Sequence, residues 1–264
     1  MIKQLDRFFR TPLEHLGSAA KDSPYIFEDD QIKSLHFDAL AIQSSMRKDQ
    51  PFDLQLSYTQ TMMGFLLLRS IPRSILIVGL GGGSLSKYCY HHFPDCRITT
   101  VEIHEKVISL RNEFSIPPDD ERFNIVHADG AKYVAAHRNS VDVILLDGYN
   151  ARGLPRRLCS QRFYDQCFQA LRINGVLVAN LLKSDLRRRT YIDRLRRTFG
   201  NRVLKTRAEN DDNYIGYAFK GEKMPSGEEL SIRAVELQKN YTIDFILMVT
   251  RIRAGMRSDR KLYG

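Results

Sequence analysis

The 264 residues, 43% hydrophobic and 27% charged with only 16 Gly and 9 Pro, exclude a disordered or fibrous chain and fit one large α/β domain with a small appendage. The longest apolar runs, Ile75 to Leu80 and Val141 to Leu146, fall far short of the roughly 20 residues of a membrane span, and MIKQLDRFFR lacks an apolar signal core, so a cytoplasmic protein without a membrane partner is expected. The excess of 40 Lys+Arg over 31 Asp+Glu, a formal charge of +9, favours anionic partners through a general field and specifies no chemistry.

In chain order, residues 1–70 read as a small N-terminal unit. A short amphipathic helix (Ile2, Leu5, Phe8, Phe9) precedes strand runs at Tyr25 to Glu28, Gln31 to Phe37 and Ala39 to Ser44, an antiparallel β unit. Ser57 followed by Gln60 reads as a capping box opening a helix from Tyr58 to Leu68.

Residues 71–264 form the second unit. SILIVGL, RITTVEI, FNIVHAD, VDVILLD and GVLVANLL alternate with helical segments at Leu85 to His92, Glu105 to Phe114, Ala131 to Ala136 and Arg162 to Leu171. That alternation predicts a doubly wound, mostly parallel sheet, because strands rich in continuous Ile, Leu and Val are covered on both faces. A helix from Asp185 to Phe199, strands at Arg202 to Thr206 and Tyr214 to Phe219, and two helical stretches complete the chain, the last from Ile243 to Met256. Four cysteines (Cys89, Cys96, Cys159, Cys167) lack C-x-x-C spacing and read as reduced packing residues. His91 and His92 have no partner at metal-ligand spacing, so no metal is expected. The arginines from Arg187 to Arg197 read as a solvated helix face, with few interleaved aromatics to suggest nucleic acid.

The chemistry gathers at strand ends. The first strand runs into Gly79-Leu80-Gly81-Gly82-Gly83-Ser84, a turn that brings backbone N–H groups to a ligand at a helix N-terminus. Ser84 at the last glycine position of G-x-G-x-x-G favours a nucleoside without a pyrophosphate. Glu102 ends the second strand, 23 residues after Gly79, where two acceptor oxygens suit the two donors of a ribose. Asp129-Gly130 ends the third, facing either an adenine amino group or, as N-cap, the following helix. Asp147 ends the fourth, before Gly148-Tyr149-Asn150. In an open α/β sheet these four ends converge on one crevice, and clustered carboxylates favour a cationic ligand such as a sulfonium nucleoside or a polyamine over NAD. Asp142, at the other end of its strand, is expected to be solvated.

Over most of its length the chain resembles the spermidine synthase family, the polyamine aminopropyltransferases. The similar pieces are the small N-terminal β unit, ILIVGLGGGS, TTVEIHEKVI, VHADGAKYV, VILLDGYN, FYDQCFQALRINGVLVANL and NYIGYAFK. The resemblance implies a methyltransferase-type Rossmann-like fold. It further implies that Glu102 holds the nucleoside ribose, Asp129 and Gly130 the adenine edge, and Gly79 and Gly81 the turn beneath the ligand, with Gly82 and Ile103 as further cofactor-binding positions. Asp147 matches the family's catalytic aspartate. Gln43 in AIQSS matches a cofactor-contacting position, and Tyr58 in LSYTQ, Asn150 and Tyr214 match substrate-contacting ones.

Three departures thin the acidic lining. Gly82 stands where the family turn carries an Asp, Asn150 where its D-S-x-D loop has a second carboxylate, and Thr59-Gln60 where a histidine-glutamate pair follows the tyrosine. The implied function is aminopropyl transfer from decarboxylated S-adenosylmethionine to a polyamine such as putrescine, by a homodimer. The alternatives are a methyltransferase using intact S-adenosylmethionine on a small molecule and a non-catalytic nucleoside-binding homologue.

Overall fold

The computed structural model describes residues 24–37, 42–150, 153–210 and 213–263, with side chains described to residue 256. The expected helix at Ile2 to Phe9 lies outside them. Two sheets organise the chain. Strands β1 (Tyr25–Glu28), β2 (Ile32–His36) and β3 (Ile42–Arg47) form an antiparallel sheet in that order. Its third strand runs past the expected end at Ser44 to Arg47, and the expected start at Ala39 lies outside the described residues.

The second sheet has seven strands in the order β6-β5-β4-β7-β8-β10-β9. These are β4 (Ser74–Val78), β5 (Arg97–Glu102), β6 (Phe123–His127), β7 (Val141–Leu146), β8 (Leu171–Leu182), β9 (Val203–Arg207) and β10 (Asn213–Phe219). The first five pair in parallel, whereas β10 pairs antiparallel with both β8 and β9. The order reverses at β4, with β5 on one side and β7 on the other.

Continuous apolar strands serve both faces because successive side chains point to opposite sides. Ile75 and Ile77 of β4 and Val143 and Leu145 of β7 join one buried cluster, which includes Leu35 and Met46 of the small sheet. Leu76, Val78, Ile144 and Leu146 join another with the helices on the opposite face. The two sheets therefore share one core. The helices are α1 (Ser57–Met62), α2 (Ser84–His92), α3 (Glu105–Ser109), α4 (Gly130–Ala136), α5 (Gln161–Ala170), α6 (Arg188–Phe199), α7 (Gly227–Gln238) and α8 (Phe245–Tyr263).

Three local expectations are corrected. The N-cap of α1 is Leu56, with no side-chain cap, and a 3-10 turn over Met63–Leu67 replaces the rest of the expected helix. Ser57 Oγ instead accepts the Asn210 N–H at 3.1 Å, and Gln60 Nε2 donates to the Leu54 carbonyl at 2.7 Å. Asp142 is buried, not solvated: its carboxylate accepts from Arg69 Nη2 at 3.0 Å and from the Arg73 and Ser74 N–H groups at 2.8 and 3.2 Å. The helix expected from Asp185 starts at Arg188, which leaves Leu186 97% exposed ahead of it. All four cysteines are buried and unpaired. Among the described residues no cluster of His, Cys, Asp or Glu could hold a metal, and no helix is long and apolar enough to cross a membrane.

Candidate active site

The carboxyl ends of β4 to β7 surround a cavity of about 840 Å³ at the point where the strand order reverses. The ladder carries on past the strand ends: Gly79 N–H donates to the Val101 carbonyl and Asp147 N–H to the Val78 carbonyl, both at 2.9 Å. This fixes the glycine turn between Glu102 and Asp147. Gly79 has φ 103°, and a Cβ there would run into the Asp147 carbonyl, so only glycine lets β4 and β7 close up at the site.

Glu102 is 8% exposed, yet it lines the cavity. Its Oε2 accepts the Leu80 N–H and its Oε1 the His104 N–H, each at 2.8 Å. Each oxygen keeps a second lone pair, so the carboxylate is pinned and can still receive two donors. Asp129 takes the N-cap role and also lines the cavity. Its Oδ1 caps α4 by accepting the Ala131 N–H at 2.9 Å, and its Oδ2 pairs with Arg157 while the residue lines the cavity. Burial works to raise its pKa, but the bonds from Arg157 and Ala131 outweigh it and hold the carboxyl below its ordinary range.

Asp147 sits half-buried among neutral donors. Asn180 Nδ2 donates to its Oδ1 at 2.8 Å and the Tyr58 hydroxyl to its Oδ2 at 3.1 Å. Burial pushes its pKa above the usual carboxylate range, against the downward pull of Asn180 and Tyr58. Asn180 is in turn held by Asn213, whose Nδ2 donates to Asn180 Oδ1 at 3.0 Å. A polar chain thus runs from β10 through β8 to the carboxylate, ending on α1.

Of the residues singled out in the sequence, Gln43, Tyr58, Gly79, Gly81, Glu102, Ile103, Asp129, Gly130, Asp147 and Asn150 line this one cavity. Two do not. Gly82 faces Ser44 and Phe114: a Cβ built on it would lie 2.7 Å from Ser44 Oγ and 3.0 Å from the Phe114 ring. Tyr214 lies under Arg188, whose guanidinium carbon is 4.5 Å from the ring centroid, and its neighbour Asn213 reaches the cavity instead. Sequence reasoning missed Asn180, Asn213, Arg157 and the Asp185–Arg187 pair, all of which line the cavity. Asn180 is legible in hindsight as a polar residue within the apolar run GVLVANLL, because a buried amide requires partners.

Comparison with known proteins agrees with this geometry. Residues 55–205 match the spermine/spermidine synthase domain family. A polyamine aminopropyltransferase of Neisseria meningitidis serogroup A is 37% identical over 96% of this chain and 98% of its own length. One of Chromobacterium violaceum is 38% identical over 86% and 88%. A spermidine synthase crystallised with the transition-state analogue AdoDATO superposes with a TM-score of 0.66 at 21% identity, covering 90% of this chain and 87% of that one, a likeness of fold. The strand-end site, the full-length relatives and the domain match together place the chain in the spermine/spermidine synthase family of aminopropyl-transferring enzymes.

Proposed function

We propose that the cavity binds decarboxylated S-adenosylmethionine and a polyamine of the putrescine class, and that Asp147 serves the attacking nitrogen. The observation that carries this reading is the Asp147 carboxylate, half-buried and held by two neutral donors, at the rim it shares with Glu102 and Asp129. Glu102 would receive the ribose hydroxyls with its two remaining lone pairs, while Asp129 and Gly130 border the adenine edge. A cationic sulfonium compensates the buried negative charge, which an anionic dinucleotide would not.

In the transfer, the amine lone pair forms a bond to the aminopropyl carbon next to sulfur as the carbon–sulfur bond breaks. The electron pair returns to sulfur, and neutral methylthioadenosine leaves. The nitrogen's surplus proton passes to Asp147 or to water. An alkylammonium titrates near 10 and an ordinary Asp near 4, so a solvated carboxylate is a poor acceptor. Burial, by raising Asp147, narrows that gap, and the charge it retains stabilises the cationic transition state. Asn180 and Tyr58 occupy part of each oxygen and fix the direction in which the remaining lone pairs point.

Mass spectrometry of reactions with putrescine tests the reading. Spermidine and methylthioadenosine should form with decarboxylated S-adenosylmethionine, and no methylated amine with the intact compound. Methylated product from the intact compound alone would replace aminopropyl transfer with methyl transfer.

A further inference from the structure

Among the described residues four carboxylates line the cavity: Glu102, Asp129, Asp147 and Asp185. Glu102 is pinned by two backbone N–H groups, and Asp129 caps α4 and pairs with Arg157. Asp147 is bonded by neutral donors and is reserved for the reacting nitrogen. A diamine has a second ammonium, and Asn150, which borders the cavity as an amide, offers it no charge.

Asp185 supplies what Asn150 lacks. It follows β8, the parallel neighbour of the strand that ends at Asp147, and so emerges on the same rim. The ring of Tyr149 belongs to the wall between them. Its hydroxyl donates to the Asn180 carbonyl at 2.9 Å, and its pKa is pushed up by burial and then by the charges of both Asp147 and Asp185. The Asp185 side chain is only 11% exposed, and its partner Arg187 is 49% exposed. Arg187 Nε donates to Oδ1 at 3.0 Å and Nη2 to Oδ2 at 3.1 Å. The Arg187 N–H to Oδ1 at 2.9 Å and the Tyr191 hydroxyl to Oδ2 at 3.0 Å would keep the carboxylate in place if the guanidinium left. The half-exposed guanidinium regains water when it leaves, and an incoming ammonium restores the charge pairing on the carboxylate, so the exchange leaves no buried charge unpaired.

Resting on the aminopropyl-transfer reading, we propose that Asp185 receives the far ammonium of a linear primary diamine, which displaces the Arg187 guanidinium from it. The diamine is thereby told from a monoamine of equal length by an exchange of cations on one carboxylate. The device places opposite demands on the two residues: Asp185 favours the diamine and Arg187 competes with it.

Release of methylthioadenosine from decarboxylated S-adenosylmethionine, measured with putrescine and with n-butylamine, tests this. The parent should prefer putrescine. Asp185→Asn should lower the putrescine-to-butylamine ratio of kcat/KM by about tenfold or more, as befits a lost bond between charged groups. Arg187→Gln should raise that ratio through a lower KM for putrescine. Equal losses with both amines in Asp185→Asn, or a ratio in Arg187→Gln that stays level or falls, would overturn the exchange while leaving aminopropyl transfer intact. A parent that releases methylthioadenosine with neither amine would remove the underlying reading and Asp185's role with it. Should Asp185→Asn fail to fold, the rise demanded of Arg187→Gln still decides the matter.

Discussion

Asn180 Nδ2 donates to Asp147 Oδ1 at 2.8 Å across the pair of neighbouring strands β7 and β8, so the carboxylate at the centre of the site is oriented by a side chain 33 residues further along the chain. Its other oxygen is held by Tyr58, 89 residues earlier.

Asp147→Asn should lower kcat about 10²-fold or more with methylthioadenosine affinity changed only a few-fold, because the amide keeps the shape but neither accepts a proton nor carries charge. The same variant should melt higher than the parent at pH 7. Burial raises the folded-state pKa of Asp147, so the folded state binds its proton more tightly and loses stability as pH rises through that pKa. The gain in Tm should therefore shrink towards pH 3. Turnover within a few-fold of the parent would exclude Asp147 as the catalytic group.

Tyr58→Phe removes one of the two donors that pull the Asp147 pKa down. The acid limb of the kcat/KM profile should move to higher pH, with the plateau reduced about tenfold or more, as for one hydrogen bond to a charged acceptor. Because the amine titration is common to both proteins, the difference between the two profiles reports Asp147. Superimposable limbs would mean that the hydroxyl does not act on the carboxylate.

Glu102→Gln should weaken methylthioadenosine binding by about 1.5–3 kcal/mol in calorimetry, the range for hydrogen bonds to a charged acceptor. The loss should largely vanish for a 2′,3′-dideoxy analogue, which has no diol to donate. An equal penalty with both ligands would show that the variant disturbs the turn through Leu80 and His104 instead of ribose recognition.

Gly82→Asp does not restore an acidic turn in this protein. Gly82 is absent from the positive-φ residues, so the backbone would accept a side chain, but Ser44 and Phe114 occupy its space. Overpacking of this kind costs about 1–3 kcal/mol, and Tm should fall by several degrees in a thermal melt. Ser44→Gly in the same chain should recover part of that loss. A single variant as stable as the parent would show that the turn relaxes away from Ser44.

Lys87 is 1% exposed, and its Nζ donates to the Phe114 carbonyl at 2.7 Å and lies 2.9 Å from Met46 Sδ. Burial depresses its pKa to about 7. The buried ammonium costs the fold most below that value, and the cost disappears as pH rises towards the ordinary lysine value of about 10.4. Urea midpoints of Lys87→Met should therefore exceed the parent's at pH 6, with the difference narrowing by pH 9.5. Parallel midpoints across that range would refute the assignment.

The sequence by itself determined the sheet and the rim. Continuous apolar runs such as SILIV and VDVILL fit only strands buried on both faces, and the residue that ends each run falls at the same edge of the sheet. That is why Glu102, Asp129 and Asp147 fall beside the glycine turn on sequence grounds alone. Only the tertiary structure decided what those groups touch. Asn180 and Tyr58 on Asp147, Arg157 on Asp129, Ser44 against Gly82 and Arg69 on a buried Asp142 join residues that are from 28 to 89 apart in the chain. Periodicity reports which face a side chain takes within its own element, whereas these contacts depend on how the elements pack. Asp185 shows the same division: in sequence it is one acid before a run of arginines, and the turn of the chain after β8 brings it to the cavity wall.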